Sequence, residues 1–348
     1  MSNFSLQILI VWLNEIMKKL LNYKTAVLAA AVVFIAVMFT GCMGKEKSVT
    51  KTALKLDTVV TITVYGESDS KYIDSAFAEI DRLSAILDVN DTCSDIYRLS
   101  ENAGEWIEVS VETYELLYMA QEFYTVSDGY FDVTAAPLIE LWDVNGGGYL
   151  PTESEIEAAA ALVNGADLQL DGNMARLAKS GMKADLGGIA KGYIADKVKE
   201  HLLSIGVKHA VIDLGGNIML VGTKIDGSNY RVGVKNPLDK DGELLCVIEG
   251  SDETMVSSGI YERYFEHEGV KYHHIIDPYT GAPSESDLAG VTIISKNSAR
   301  ADALSTACLL MGREEALRLI EETPDTEAIL VTRSGEVYKT TGIEKRMK

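Results

Sequence analysis

The chain has 348 residues, 47% of them hydrophobic, which is enough for one large domain or two small ones with a real core and excludes a fibrous or disordered protein. Its 52 acidic residues against 32 basic ones give a formal net charge of −20. That balance argues against nucleic acid as a partner, because such binding draws on Lys and Arg releasing counterions from phosphates.

The N-terminus reads as a targeting segment. "KTAVLAAAVVFIAVMFTGC" is a basic-flanked apolar run ending at small residues and a cysteine. Residues 1–41 are therefore expected to be a secretory signal, with Met17-Lys18-Lys19 as its charged start and Met17 as the first residue translated. Phe39-Thr40-Gly41-Cys42 resembles a bacterial lipobox, which makes Cys42 the expected lipidated residue and places the chain outside the cytoplasm on the cell (inner) membrane. The alternative is an uncleaved spanning helix over 25–41, close to the roughly 20 apolar residues a bilayer needs. Removing residues 1–41 takes away Lys18, Lys19, Lys24 and Glu15, so 29 basic and 51 acidic residues stay, a net of about −22. Such a field repels a phosphate-bearing ligand unless a cation or a local cradle offsets it. Beyond Cys42 the cysteines are Cys93, Cys246 and Cys308, widely spaced and odd in number, with neither zinc spacing nor a disulfide framework.

Residues 42–54 read as a lipidated cysteine and polar tether, and 55–345 as the folded domain. "TVVTITVYG" (58–66) alternates like a strand. Residues 70–87 and 111–126 carry helical periodicity, and "PTESEIEAAAALV" opens a third helix with Thr152 and Glu155 in the capping-box relation. From 207 onward "HAVIDL", "NIMLVG", "YRVGVKN", "LLCVIEG", "TMVSSG" and "KYHHIID" are short strand-like runs between Gly, Asn and Asp turns, expected to form a mostly antiparallel meander. Strand "GVTIIS", helices "SARADALSTACLLMG" and "REEALRLIEE", and two short strands around "RSGE" close the chain. The expected fold is α+β: mostly antiparallel sheets packed with helices in a single large, two-lobed domain.

Four segments could carry chemistry. "KADLGGIAKGYIADKV" leads through a double glycine into a helix whose first turn holds Lys191, a geometry that favours close approach of an anion, although it matches no nucleotide fingerprint and is also a common packing device. In "ADALSTA", Asp302 and Thr306 are four apart and share a helix face, so they can offer two hard oxygens to Mg²⁺; a helix-terminal Asp and an ordinary Thr are the plainer explanation. "DGYFDVT" places Tyr130 and Phe131 where they could stack on a ring and Asp132 where it could accept a hydrogen bond, while core aromatics are the commoner case. "YHHIIDPYTGAP" (272–283) begins like a strand and ends like a turn, and a histidine there often only caps the strand.

Taken together and in order, "DGYFDVTAAPLIELWDV", "DLGGIAKGYIADKV", "VIDLGGNIMLVG", "SSGIYERYF", "YHHIIDPYTGAP" and "ADALSTACLLMG" resemble the FAD:protein FMN transferase family, the ApbE-like proteins, from about Lys55 to near the C-terminus. The resemblance implies an enzyme that splits FAD at its pyrophosphate and links FMN through a phosphoester to a Thr or Ser hydroxyl of a target protein, with Mg²⁺, releasing AMP. It implies Asp302, Thr306 and the Gly188 carbonyl as metal ligands. Asp185, Lys191, Tyr130, Phe131, Asp132, Ile275 and Leu56 become the FAD contacts, and His274 the catalytic residue. Subunits of Rnf-type or Na⁺-translocating oxidoreductases are the implied acceptors. The chain departs from many relatives at Leu56-Asp57-Thr58, where Met-Gly-Thr is common, at Ala85-Ile86-Leu87, where an aromatic follows Leu-Ser, and at Ser100, where Asn is common. Two other readings stand beside it: a Mg²⁺-dependent FAD pyrophosphatase that uses water as acceptor, and a lipoprotein that binds flavin or another solute without turnover.

Overall fold

The computed structural model describes residues 47–239, 243–343 and 346–347; the signal segment, Met17 and Cys42 lie outside them. Among the described residues no helix is long and apolar enough to cross a membrane.

Alternation builds the central sheet. Strands β1 (Ser48–Lys55), β2 (Thr58–Tyr65), β6 (Ala210–Leu214), β7 (Asn217–Val221), β10 (Thr254–Gly259), β13 (Leu288–Ser295), β14 (Thr326–Thr332) and β15 (Val337–Lys339) lie side by side in that order. Every pairing is antiparallel. Consecutive side chains point to opposite faces. Met219 and Val221 enter one core while Leu220 enters another, and Ile293 with Ile294 and Leu330 with Ile329 divide the same way. Both faces are covered, which is why β13 is buried at all eight positions and reads as a near-continuous apolar run.

One face carries helices α1 (Lys71–Leu87), α6 (Ala190–Ser204) and α7 (Ser298–Met311). In α1 the buried positions Ile73, Ala76, Ile80, Leu83 and Leu87 recur at three and four residues, the spacing of one helical face. The other face is covered by the separate hairpin β8 (Tyr230–Lys235) and β9 (Leu244–Gly250), whose Tyr230, Val232, Val234, Cys246 and Ile248 form the second core. The expected meander is thus interrupted. Strands β8–β9 leave the sheet to cap it, and β11 (Tyr264–His267) with β12 (Val270–His273) forms a further hairpin of its own.

The sheet also starts earlier than expected, since Ser48–Lys55 is edge strand β1 rather than tether. Its inward positions Val49, Lys51, Ala53 and Lys55 include two lysines and its outward Leu54 is apolar, so the alternation is faint in sequence. The two-residue loop Leu56-Asp57 closes the β1–β2 hairpin with φ of +52° and +54°, the left-handed pair of a type I′ turn.

Helices α2 (Asp95–Glu101), α3 (Val111–Val126), α4 (Ala136–Trp142), α5 (Glu153–Ala160) and α8 (Arg313–Glu321), with the small sheet β3 (Ile107–Glu108), β5 (Met174–Leu177) and β4 (Leu168–Asp171), complete the fold among the described residues. The Thr152/Glu155 capping box forms as the sequence predicts. A third, small core of Leu138, Trp142 and Ile276, with Phe265 and Tyr272 against it, fastens β11–β12 and the turn after it onto α4. There the Trp142 indole N–H donates to the Gly281 carbonyl at 2.7 Å.

Candidate functional site

Helices α6 and α7 meet almost backbone to backbone. A Cβ on Gly192 would lie 2.2 Å from the Ser298 carbonyl oxygen and 2.8 Å from Ala299 Cα, so only glycine fits. At this crossing each helix caps the other. The Gly192 amide, in the first turn of α6, donates to Asp302 Oδ2 at 2.8 Å. In return Asp196 of α6 accepts from the Ser298 and Ala299 amides at 2.9 Å, beside the ordinary N-cap Asn297. First-turn amides lack intrahelical partners and carry the positive end of the helix dipole, so a carboxylate is the fitting acceptor at both places.

Asp302 is only 3% exposed and its Oδ1 has no hydrogen-bond partner among the described residues. Burial pushes its carboxyl up to about 6, against the pull of Lys191 and the Gly192 amide, while Glu262 and Asp196 push the same way as burial. One turn further, Thr306 approaches Gly188: a Cβ on Gly188 would meet Thr306 Oγ1 at 3.4 Å and the Phe131 ring at 3.0 Å. The result is a recess holding one half-satisfied carboxylate, one hydroxyl and the close-approaching Gly188 backbone. Such a donor set fits Mg²⁺, which takes few protein oxygens and completes its shell with water and phosphate. Among the described residues no group of three or more His, Cys, Asp and Glu converges, so a metal held by side chains alone is not favoured.

Lys191, the second residue of α6, makes no ion pair within 4 Å among the described residues but acts electrostatically on Asp302, Glu262 and His274. Glu262 is exposed, and the surrounding protein moves its carboxyl upward against the pull of Lys191 and Arg263.

His274 follows β12 at the corner where the strand becomes a turn. Its backbone N–H and its Nδ1 both lie against the Arg263 carbonyl, at 3.1 and 3.2 Å. A carbonyl only accepts, so Nδ1 carries the proton and Nε2 keeps a free lone pair. Burial first, then Arg263, His273 and Lys191, push His274 down to about 4, which leaves the ring neutral at pH 7. The neighbouring His273 points the other way, is 5% exposed and donates from Nε2 to the Ser284 carbonyl at 3.0 Å. Adjacent residues of a strand face opposite sides, so only one of the pair reaches the site.

His274 and Asp185 line one cavity of about 400 Å³. Asp185 Oδ1 accepts from the Gly187 amide at 2.6 Å, and burial raises its carboxyl. Other sequence-derived candidates stand apart. Phe131, 4% exposed, packs edge-on to Phe123 at 6.1 Å and backs Gly188. Tyr130 packs against Tyr279. Both Asp132 oxygens are engaged, Oδ1 by Thr134 at 2.7 Å and Oδ2 by the Gly165 amide at 2.8 Å. Ile275 is buried beside His274, and Leu56 is half-buried at its hairpin turn; neither Leu56, Tyr130, Phe131, Asp132 nor Ile275 lines the cavity.

Gly192 and Asp196 both lie in the motif "DLGGIAKGYIADKV", which by itself does not mark a helix crossing. A glycine inside a helix with an Asp four residues on was the available signal. Asp196→Asn keeps an acceptor for the α7 amides and should unfold within about 1 kcal/mol of the parent, whereas Asp196→Ala leaves both bare and should lose about 2 kcal/mol. Chemical denaturation compares the two, and an alanine variant as stable as the parent contradicts the capping role.

With this geometry in place, the comparisons with known proteins are direct. The model of the ApbE family matches residues 56–330. The chain is 30% identical to an FAD:protein FMN transferase of Treponema pallidum, covering 88% of this chain and 91% of that one. A protein of the same name from Klebsiella pneumoniae is 31% identical, over 85% and 92% of the two chains. Two solved structures share the fold. The ApbE protein of Thermotoga maritima superposes with a TM-score of 0.81 at 29% identity, over 87% of this chain and all of that one. The flavin transferase ApbE of Vibrio cholerae does so with 0.78 at 26%, over the same shares.

Proposed function

The chain belongs to the ApbE family, and from that premise we propose that it is a Mg²⁺-dependent FAD:protein FMN transferase. It is a transferase with FAD as substrate and a flavoprotein as acceptor, as its relatives are named. In the proposed reaction a Thr or Ser hydroxyl of the acceptor attacks the FMN-side phosphorus, the pyrophosphate bond breaks, and AMP leaves. The observation that carries this reading is the α6–α7 crossing, which sets an unpaired carboxylate oxygen and a hydroxyl beside a glycine backbone in an otherwise acidic chain.

Asp302, Thr306 and the Gly188 carbonyl would hold Mg²⁺, which when bound neutralises pyrophosphate charge and eases departure of AMP. Lys191 adds positive charge at the same place, and Asp185 orients the dinucleotide in the cavity it shares with His274. His274 Nε2 takes the proton of the attacking hydroxyl. A base near pKa 4 is fully unprotonated at pH 7 but weakly basic, so its contribution belongs at the low end of the range for general bases, about 10²-fold.

His274→Ala is accordingly expected to slow transfer about 10²-fold with FAD affinity unchanged within about twofold. The part of the acid limb that His274→Ala removes should fall near pH 4, apart from any limb set by Asp302; a His274-dependent limb near 6.5 would show a histidine of ordinary basicity in its place.

We further propose that residues 55–345 form the catalytic domain, extended by β1, and that Cys42 carries a lipid. The lipid holds the enzyme on the outer face of the cell membrane, where membrane flavoproteins such as Rnf-type or Na⁺-translocating oxidoreductase subunits are the acceptors. The lipobox-like segment supports this placement.

The deciding experiment incubates the full chain in detergent with FAD, Mg²⁺ and a Thr-containing flavin-acceptor domain, followed by a denaturing gel. A fluorescent acceptor band with stoichiometric AMP, lost on adding EDTA, establishes transfer and metal together. Free FMN and AMP without a labelled band would assign hydrolysis instead, and no AMP at all would leave a binding protein.

A further inference from the structure

We propose that Tyr97 is the stacking platform for a planar heteroaromatic ring of the dinucleotide, a role that rests on the FAD reading above. Among the residues lining the cavity shared by Asp185 and His274, Tyr97 is the one aromatic. The walls around it mix polar groups, Ser100, Lys183, Asp185 and His274 among them, with aliphatic ones such as Ile139 and Ile276, and none of those offers a flat ring-sized face. A fused ring seated there needs an apolar face to lie on, and a tyrosine ring presents one at low entropic cost. Tyr130 and Phe131 do not compete for the role, since one packs on Tyr279 and the other is buried against Phe123.

Tyr97 is also held in place from both sides. Ser94 caps α2 by accepting the Tyr97 amide at 2.9 Å, and Asp95 ties the same turn to Arg98, to the Ser110 amide and to the Thr113 hydroxyl. Ser100, one turn on and on the same face, accepts the Ala184 amide at 3.1 Å, next to Asp185. The helix turn that carries the ring is thereby positioned relative to Asp185 by a chain of short-range bonds. Its hydroxyl has no hydrogen-bond partner among the described residues, and the side chain is half-buried, as expected of a ring whose free face awaits a ligand.

Either end of FAD could supply the ring, and the test separates them. Binding of FAD, FMN and AMP to the full chain is measured by calorimetry in EDTA, so that no turnover intervenes. Tyr97→Ala and the bulk-preserving Tyr97→Leu should both weaken FAD binding roughly 5- to 150-fold, the span for loss of base–aromatic stacking. Tyr97→Phe should stay within about twofold of the parent. FMN affinity falling in step assigns the isoalloxazine, and AMP affinity falling in step assigns the adenine. If the parent binds FAD and the Ala and Leu variants match it for all three ligands, the stacking role is overturned while the transferase reading stands. A parent that binds FAD neither in EDTA nor, in a rapid-mixing fluorescence titration, with Mg²⁺ present overturns both.

Discussion

Asp302→Asn is expected to abolish FMN transfer, by roughly 10³-fold or more, and at the same time to make the chain more stable when no divalent cation is present. The amide still offers an oxygen to the Gly192 N–H, so the α6–α7 crossing keeps its bond. What disappears is a buried negative charge. In the folded chain the Asp302 carboxyl sits at about 6 against an ordinary value of 3.8. The folded state therefore holds its proton more tightly than the unfolded state between those two pH values, and stability falls as pH rises through that window. Above it the full cost is present, about 3 kcal/mol at this shift, with no discount for solvent because the residue is buried. Urea denaturation in EDTA should thus find the variant about 2–3 kcal/mol more stable than the parent at pH 7.5 and equal to it near pH 4. With Mg²⁺ and FAD present the order should reverse, since only the parent gains a counter-charge. Equal stabilities at pH 7.5 in EDTA would mean that the carboxylate is not buried uncompensated, and the assignment of Asp302 to the cation would lose its physical basis.

Gly192→Ala should do the opposite of what helix propensity says. Alanine in an exposed helix interior gains about 1 kcal/mol over glycine. Here the added methyl would stand 2.2 Å from the Ser298 oxygen and 2.6 Å from the carbon behind it, both backbone atoms with no rotamer to yield. The helices must separate, which strains the Gly192–Asp302 bond and the Asp196 bonds to Ser298 and Ala299 together. Overpacking costs of 1–3 kcal/mol and weakened buried bonds of about 1 kcal/mol each outweigh the propensity gain, for a net loss of about 2–4 kcal/mol. Transfer should drop by about 10²-fold, because a shift near 1 Å moves Asp302 and Thr306 away from Gly188. Thermal unfolding and the gel assay read the two effects. A variant as stable and as active as the parent would show that the helices can part without consequence.

Much of this protein was legible residue by residue. The periodicities of 70–87 and 111–126, the Thr152/Glu155 capping box and the alternation of 58–65 each come from local geometry, and each forms as expected. The order of the six motifs pointed to the family before any coordinates. The i, i+4 spacing of Asp302 and Thr306 put both oxygens on one face of α7, a property any helix enforces. The tertiary structure alone decided what those oxygens face. The Asp302–Gly192 bond, the Asp196 cap and the meeting of Gly188 with Thr306 join segments about 100 residues apart, and no local pattern encodes a distance across that separation. The same holds for the strands that left the expected meander, because the alternation of β8 and β9 fits an edge of the sheet as well as a cap on its face, and only the packing of Tyr230, Val232 and Ile248 against the second core separates the two. It holds for the two histidines as well. His273 and His274 are neighbours in sequence, and it is the fold that turns one into the core and the other, with its Nδ1 proton held by the Arg263 carbonyl, toward the cavity.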